Sequence, residues 1–339
     1  VERVRAIIKF VALICLIFAI VNVGLVHGWS NGGYSTTPTN PKYGTHDWIA
    51  QHALDWLSAQ EKQYIINNLA AYLFGTELPD NSNAPGGDGI GDTTKHHVYY
   101  SASGTVTDDA SAQRANTEYN IALNYLKAQD WADAAKTAGT MTHYIDDMAV
   151  FGHVMGASTP WGNEVHHSDY EDYVDARTGS YSGSGNFNGY LSFDGTLSTI
   201  TAYNGALNLA YDTTFGGSNH LTCVWMDTNY NWSNPTFVNR CGESLNLAVN
   251  TVTDVLHTLY LQAGLSNSPT STPTGYITTP TDAINPSSTK NLNGSTVSEN
   301  ASIILILSGV IAVVTILLIM LTFVQIRMRK SRKLSKEHR

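Results

Sequence analysis

Residues 130–153 read DWADAAKTAGTMTHYIDDMAVFGH, and this stretch decides the fold. It is predicted to be the longest and most buried helix of the chain. Toward its end, His143 and Asp147 are four residues apart, so on a helix they project from one face and can grip one ion. His153 follows six residues later, beside Gly152, which can redirect the chain at the helix end.

Working outward, apolar residues recur at spacings of three and four over 45–59 (Trp48, Ile49, Ala53, Trp56, Leu57) and 61–74 (Tyr64, Ile65, Leu69, Tyr72, Leu73). Further helices are predicted over 108–127, 164–177 and 237–264. The segments 75–95 and 178–196, rich in Gly, Ser, Asn and Asp, read as loops. No strand alternation and no internal repeat is visible. The expectation is an all-α, multi-helix domain over residues 29–265.

The flanks are of another kind. Residues 6–26 form an apolar run behind Arg3, Arg5 and Lys9, ending in Val26-His27-Gly28, the layout of a secretory signal peptide over 1–28. The alternative is an uncleaved anchor, disfavoured by Lys9 and Asn22 within the run. Residues 266–300, rich in Ser, Thr, Pro and Asn, read as an unstructured stalk. Within the predicted transmembrane helix, 301–326, the run Ile303–Ile326 has no charge, and a basic tail over 327–339 marks the cytoplasmic side. The expected location is the cell surface, with the domain outside.

Between Trp29 and Ile326 stand 9 basic and 26 acidic residues, a net charge near −17. Such a surface repels a nucleic-acid backbone and suits a protein that holds multivalent cations. Of three cysteines, Cys15 falls in the leader, and Cys223 and Cys241 form an even pair in an oxidising compartment, so a disulfide is expected.

Eight of twelve histidines fall between residues 46 and 167. His167 and Glu171 repeat the four-residue spacing of His143 and Asp147. Any one such pair is more often a surface hydrogen bond. Two pairs with a third histidine nearby give the imidazole and carboxylate set that suits zinc.

Taken together, Trp29 at a cleavage point, Gly44-Thr-His46-Asp-Trp-Ile, His97-Val-Tyr, His143-x3-Asp147-x5-His153 and His167-x3-Glu171 resemble the zinc-dependent phospholipase C family, which is related to the S1/P1 nucleases. The resemblance covers roughly residues 29–265. It implies three zinc ions. The α-amino group and carbonyl of Trp29 would hold one with His46. Asp147 would bridge it to a second, held also by His97 and His143, and His153, His167 and Glu171 would hold a third. The resemblance also implies a loop aspartate acting as ligand and catalytic base. Asp80 is the choice, with Asp88 and Asp92 as alternatives, and His96 competes with His97. Zinc would activate water near neutral pH for attack on a phosphodiester. The expected substrate and partner is phospholipid at the membrane, with no nucleic acid, and the protein is expected to be a monomer. The rival readings are a single-strand nuclease on the same scaffold, disfavoured by Glu171 and by the acidity, and a surface protein with structural zinc.

Overall fold

The computed structural model describes residues 29, 31–183 and 185–265. The predicted leader (1–28), stalk, transmembrane helix and tail lie outside the described residues. Among the described residues no helix is long and apolar enough to cross a membrane.

The domain is mostly helical. In chain order the helices are α1 (Thr45–Ala53), α2 (Ala59–Ile66), α3 (Leu69–Glu77), α4 (Ala110–Ala128), α5 (Trp131–Asp146), α6 (His167–Asp175), α7 (Ala202–Phe215), α8 (Cys223–Thr228) and α9 (Pro235–Gln262). Where one long helix was expected over 45–59, the chain breaks. Ser58 accepts from the Glu61 amide at 3.3 Å while Glu61 reaches back to the Ser58 amide at 2.9 Å, and this capping box starts α2 afresh. An antiparallel pair, β1 (Tyr99–Tyr100) and β2 (Val106–Asp108), was not expected, being too short to show alternation. Among the described residues the longest helix is α9, not α5. Asn234 caps α9 by accepting from the Thr236 amide at 3.0 Å, with Pro235 at its first position.

Helix α5 lies at the centre, against α3, α4, α1, α7 and α9. Its small residues make this possible. A Cβ on Gly139 would lie 1.9 Å from the Tyr72 carbonyl oxygen, and one on Gly75 would lie 2.0 Å from that of Lys136. Two glycines thus let the α3 and α5 backbones touch, and Thr140 Oγ1 donates to Gly75 O at 3.1 Å across the contact. The α-helix ends at Asp146 and tightens into 3₁₀ turns over Asp147–Ala149 and Phe151–Val154.

The second long element is fixed by an unusual fit. Backbone amides of Ser192, Asp194, Ser198 and Ile200 donate to the side chains of Asn246, Asn250, Asp254 and Thr258 at 2.8–3.2 Å. From Ser192 to Asp194 and from Ser198 to Ile200, two residues of extended chain (about 6.6 Å) match four residues of helix (about 6 Å). Between Asp194 and Ser198, a turn in which the Thr196 amide donates to Asp194 Oδ1 takes up the two extra residues.

Cys223 and Cys241 are free and buried, and the expected disulfide is not formed. Each thiol is accommodated within the core, and burial pushes both up to about 12. Cys241 hydrogen-bonds with the buried Tyr170.

Candidate metal centre

Around the C-terminal turn of α5 the core holds a dense cluster of buried imidazoles and carboxylates. His46, His143, Asp146 and Asp147 are all fully buried, and His96, His153, His167 and Glu171 nearly so. Three groups of ligand-type atoms result: His46 with His143 and Asp147; Asp80 with His96 and His143; and His153 with His167 and Glu171.

Asp147 stands between them. Its Oδ2 lies 3.1 Å from His96 Nδ1 and 3.3 Å from His143 Nε2, while Oδ1 lies 3.6 Å from both His46 Nε2 and His153 Nε2. His96 Nδ1 is also 3.4 Å from Asp80 Oδ1 and 3.3 Å from His143 Nε2. In the third group Glu171 Oε1 is 2.8 Å from His167 Nε2 and 3.4 Å from His153 Nε2.

The tautomer of His143 decides what these distances mean. Its Nδ1 contacts the Thr76 carbonyl at 2.6 Å, and a carbonyl only accepts, so Nδ1 carries the proton. A neutral ring then aims the Nε2 lone pair at the Asp147 carboxylate. That is repulsive unless a proton or a metal ion stands between them. Both Asp147 oxygens, Asp80 Oδ1, His46 Nε2 and His153 Nε2 are buried without a hydrogen-bond partner. Ligand atoms about 2.0–2.1 Å from one tetrahedral ion stand roughly 3.3–3.4 Å apart, longer than a good hydrogen bond. Most of the separations here fall near that value. The residues fit a zinc site on these grounds. His143 belongs to two of the three groups, but with Nδ1 committed to Thr76 its single free nitrogen lies with Asp80 and His96.

Charge tells the same story. Burial works against protonation of His96, but Asp147, Asp92 and Asp80 outweigh it and push the imidazole up to about 10. Burial likewise opposes, and Glu171 and Glu164 overcome, at His167, also pushed up to about 10. Asp147, although buried, is held well below the usual carboxylate range by His143, His153 and His96. The carboxylates demand positive charge, and without an ion they draw protons onto the histidines.

Besides His143, two more of the imidazoles are held from behind. His46 Nδ1 meets Asp146 Oδ1 at 2.7 Å, and His167 Nδ1 lies 3.4 Å from Glu164 Oε1. Gly152 proves to serve contact rather than chain direction. A Cβ there would fall 2.4 Å from His167 Cγ, so only glycine lets this ring approach the 3₁₀ turn. Trp29 is fully buried next to the first group, its indole Nε1 donating to Asp146 O at 3.0 Å and its ring 5.3 Å from that of Tyr170.

One position differs from the sequence expectation. His96, not His97, joins Asp80 and His143. The chain is entering β1, so successive side chains alternate. His96 and Val98 turn inward, and the Val98 amide donates to His153 O at 3.3 Å. His97 turns to the other side, stacked on Tyr99 at 4.3 Å with Nε2 3.1 Å from Asp108. The His-x-Tyr pattern therefore marks that outer stack. The loop alternatives also separate. Asp80 lies in the second group, Asp88 pairs with Lys136 at 3.1 Å, and Asp92 pairs with Arg114 at 2.7 Å.

A family model described as zinc dependent phospholipase C matches residues 45–213, which carry all eight of these buried donors and lack only Trp29. The chain belongs to the zinc-dependent phospholipase C family. Zinc is accordingly the metal of the family to which this cluster belongs. Among solved structures, the alpha-toxin of Clostridium absonum is similar at 15% identity and a TM-score of 0.45, over 69% of this chain and 66% of the toxin. The alpha-toxin of Clostridium perfringens, from an avian strain, is similar at 14% identity and 0.39, over 71% and 68%. The chain thus spans just under two thirds of the length of the first of these toxins. No curated protein sequence matches it.

Proposed function

We propose that this protein is a zinc-dependent phosphodiester hydrolase of the phospholipase C type, cleaving phospholipid into a phosphorylated headgroup and a diacylglycerol-like alcohol. The observation that carries the reading is Asp147, a buried carboxylate with both oxygens lacking hydrogen bonds and facing four imidazoles. One such carboxylate can serve neighbouring ions, as hydrolysis of a phosphodiester by several ions requires.

Three ions are proposed. His46 and Asp147, with the main chain of Trp29 once a leader is removed, would hold the first. Asp80, His96, His143 and Asp147 would hold the second, and His153, His167 and Glu171 the third. When bound, zinc polarises phosphoryl oxygens and supplies a nucleophile from water near neutral pH. The chain's own residues do the rest. Thr76, Asp146 and Glu164 fix the ring orientations from behind. Asp80 comes from the turn after α3, its carboxylate 6% exposed and Oδ1 without a hydrogen bond, placed to take a proton from water. Burial of these donors keeps bulk water from screening their charges. A C-terminal anchor at 301–326 would hold this site close to its lipid substrate.

Parallel assays of the purified protein on phosphatidylcholine vesicles and on single-stranded DNA test the reading. Release of phosphocholine that stops on chelation is the expected result. Strong DNA cleavage with inert lipid would replace the phospholipase reading with the nuclease one.

A further inference from the structure

Behind His96 stands a second group of polar residues that does not itself face the donors. Its centre is Asp92, immediately before the turn Thr93–Lys95 that leads into His96. Asp92 Oδ1 accepts from the Tyr144 hydroxyl at 2.5 Å, and Oδ2 lies 2.7 Å from Arg114 Nε. Arg114 in turn donates to the Tyr144 hydroxyl at 3.1 Å and pairs with Glu118 at 2.9 Å. Three separate elements thus meet at one carboxylate: the turn, α4 through Arg114, which Glu118 braces, and α5 through Tyr144.

What this carboxylate faces is the rear nitrogen of His96. Nδ1 of that ring points to Asp80, Asp147 and His143, while Nε2 is buried without a hydrogen-bond partner and lies 3.6 Å from Asp92 Oδ1. The ring itself is 2% exposed. An imidazole that ligates through one nitrogen needs its other N–H held by an acceptor, which fixes both tautomer and orientation. Asp92 is the acceptor nearest to hand, and Arg114 and Tyr144 leave it little freedom to turn away. Tyr144 also follows His143 in sequence, so the same turn of α5 supplies one ligand and the clamp for another.

We propose that Asp92, clamped by Tyr144 and Arg114, is a positioning residue that holds His96 with Nδ1 toward the second ion. The inference rests on the reading of the Asp80, His96 and His143 group as a zinc site. It assigns to the alternative loop carboxylate a role behind the ligand. It also gives Arg114 a structural partner in place of a substrate.

The test is zinc titration of the full-length wild type, Asp92→Asn and Tyr144→Phe against a chromophoric chelator, together with visible spectra of the cobalt-loaded proteins. In Asp92→Asn one ion should bind roughly 10–100-fold more weakly with the others unchanged, and the cobalt bands of that one ion should shift. Tyr144→Phe keeps the ring and removes only the hydroxyl. It should weaken the same ion by less, and it carries the test if Asp92→Asn does not fold. Wild-type affinity and spectra in both variants, or equal weakening of every ion with unshifted bands, would overturn the proposal. Substrate plays no part in this readout. Zinc bound normally by a wild type that leaves phosphatidylcholine intact would sink the phospholipase reading alone, whereas a wild type that binds no zinc would remove the site on which Asp92 acts.

Discussion

His143 Nε2 and Asp147 Oδ2 stand 3.3 Å apart one helical turn from each other, both fully buried, and with Nδ1 committed to the Thr76 carbonyl the contact requires a proton or a metal ion between them. Asp147→Asn keeps the shape and removes the charge that the neighbouring imidazoles face. Zinc affinity should fall by more than the roughly 10–100-fold typical of a residue behind a ligand, with hydrolysis falling in step. Chelator titration of the variant checks this, and wild-type zinc content would count against a ligand role for Asp147.

Metal removal should destabilise the protein. A ligand that binds only the folded state stabilises it by an amount that grows with concentration over Kd. Without an ion, the mutual repulsion of Asp80, Asp147 and Glu171 is offset only by protons. Differential scanning fluorimetry with and without chelator should show Tm lowered by several degrees or more and restored by added zinc. An unchanged Tm would mean that the donors do not share an ion.

The response to pH follows from the shifts. In the metal-free protein His96 and His167 titrate at about 10, above the roughly 6.5 of an unfolded histidine. Their contribution to stability is therefore full below pH ~6.5 and is lost as pH rises toward 10. Asp147 and Glu171 are held below the ordinary carboxylate range, so theirs is present above pH ~4 and is lost on acidification. Zinc must displace the protons on His96 and His167. Calorimetry in two buffers of different ionisation enthalpy should show proton release on zinc binding near pH 7, with affinity rising as pH increases. Binding without proton release would contradict the ligand set.

Gly152→Ala places a methyl group where the His167 ring now lies, 2.4 Å from Cγ. The variant should fold, since the clash is with a side chain, and should lose zinc from the His153, His167 and Glu171 group alone. Metal analysis showing full wild-type content would show that His167 does not need its present position.

How much of this could be read in the sequence depends on periodicity. His143 with Asp147 and His167 with Glu171 were visible because each pair lies along one helix, where a spacing of four means one face. His96 and His97 were not separable, because they precede a two-residue strand and only the inward turn of Val98 fixes which of them faces the core. Helix α7 went unseen because its sequence, AYNGALNLAYDTTF, mixes small and polar residues and is placed by contact with α4, α5 and α9. The disulfide expectation failed because an even cysteine count, even in a domain read as exported, says nothing about where two thiols lie in the core. Thiol titration should find Cys223 and Cys241 unreactive until the protein is denatured, and then reduced. A mass showing a bond between them would reverse that.

The measurement that bears most directly on the zinc centre is anomalous diffraction at the zinc edge from crystals of the zinc-loaded protein. Three peaks are predicted, all around Asp147: one beside His46 and the main chain of Trp29, one among Asp80, His96 and His143, and one among His153, His167 and Glu171. Peaks elsewhere, or no peak at Asp147 despite stoichiometric zinc, would contradict the account.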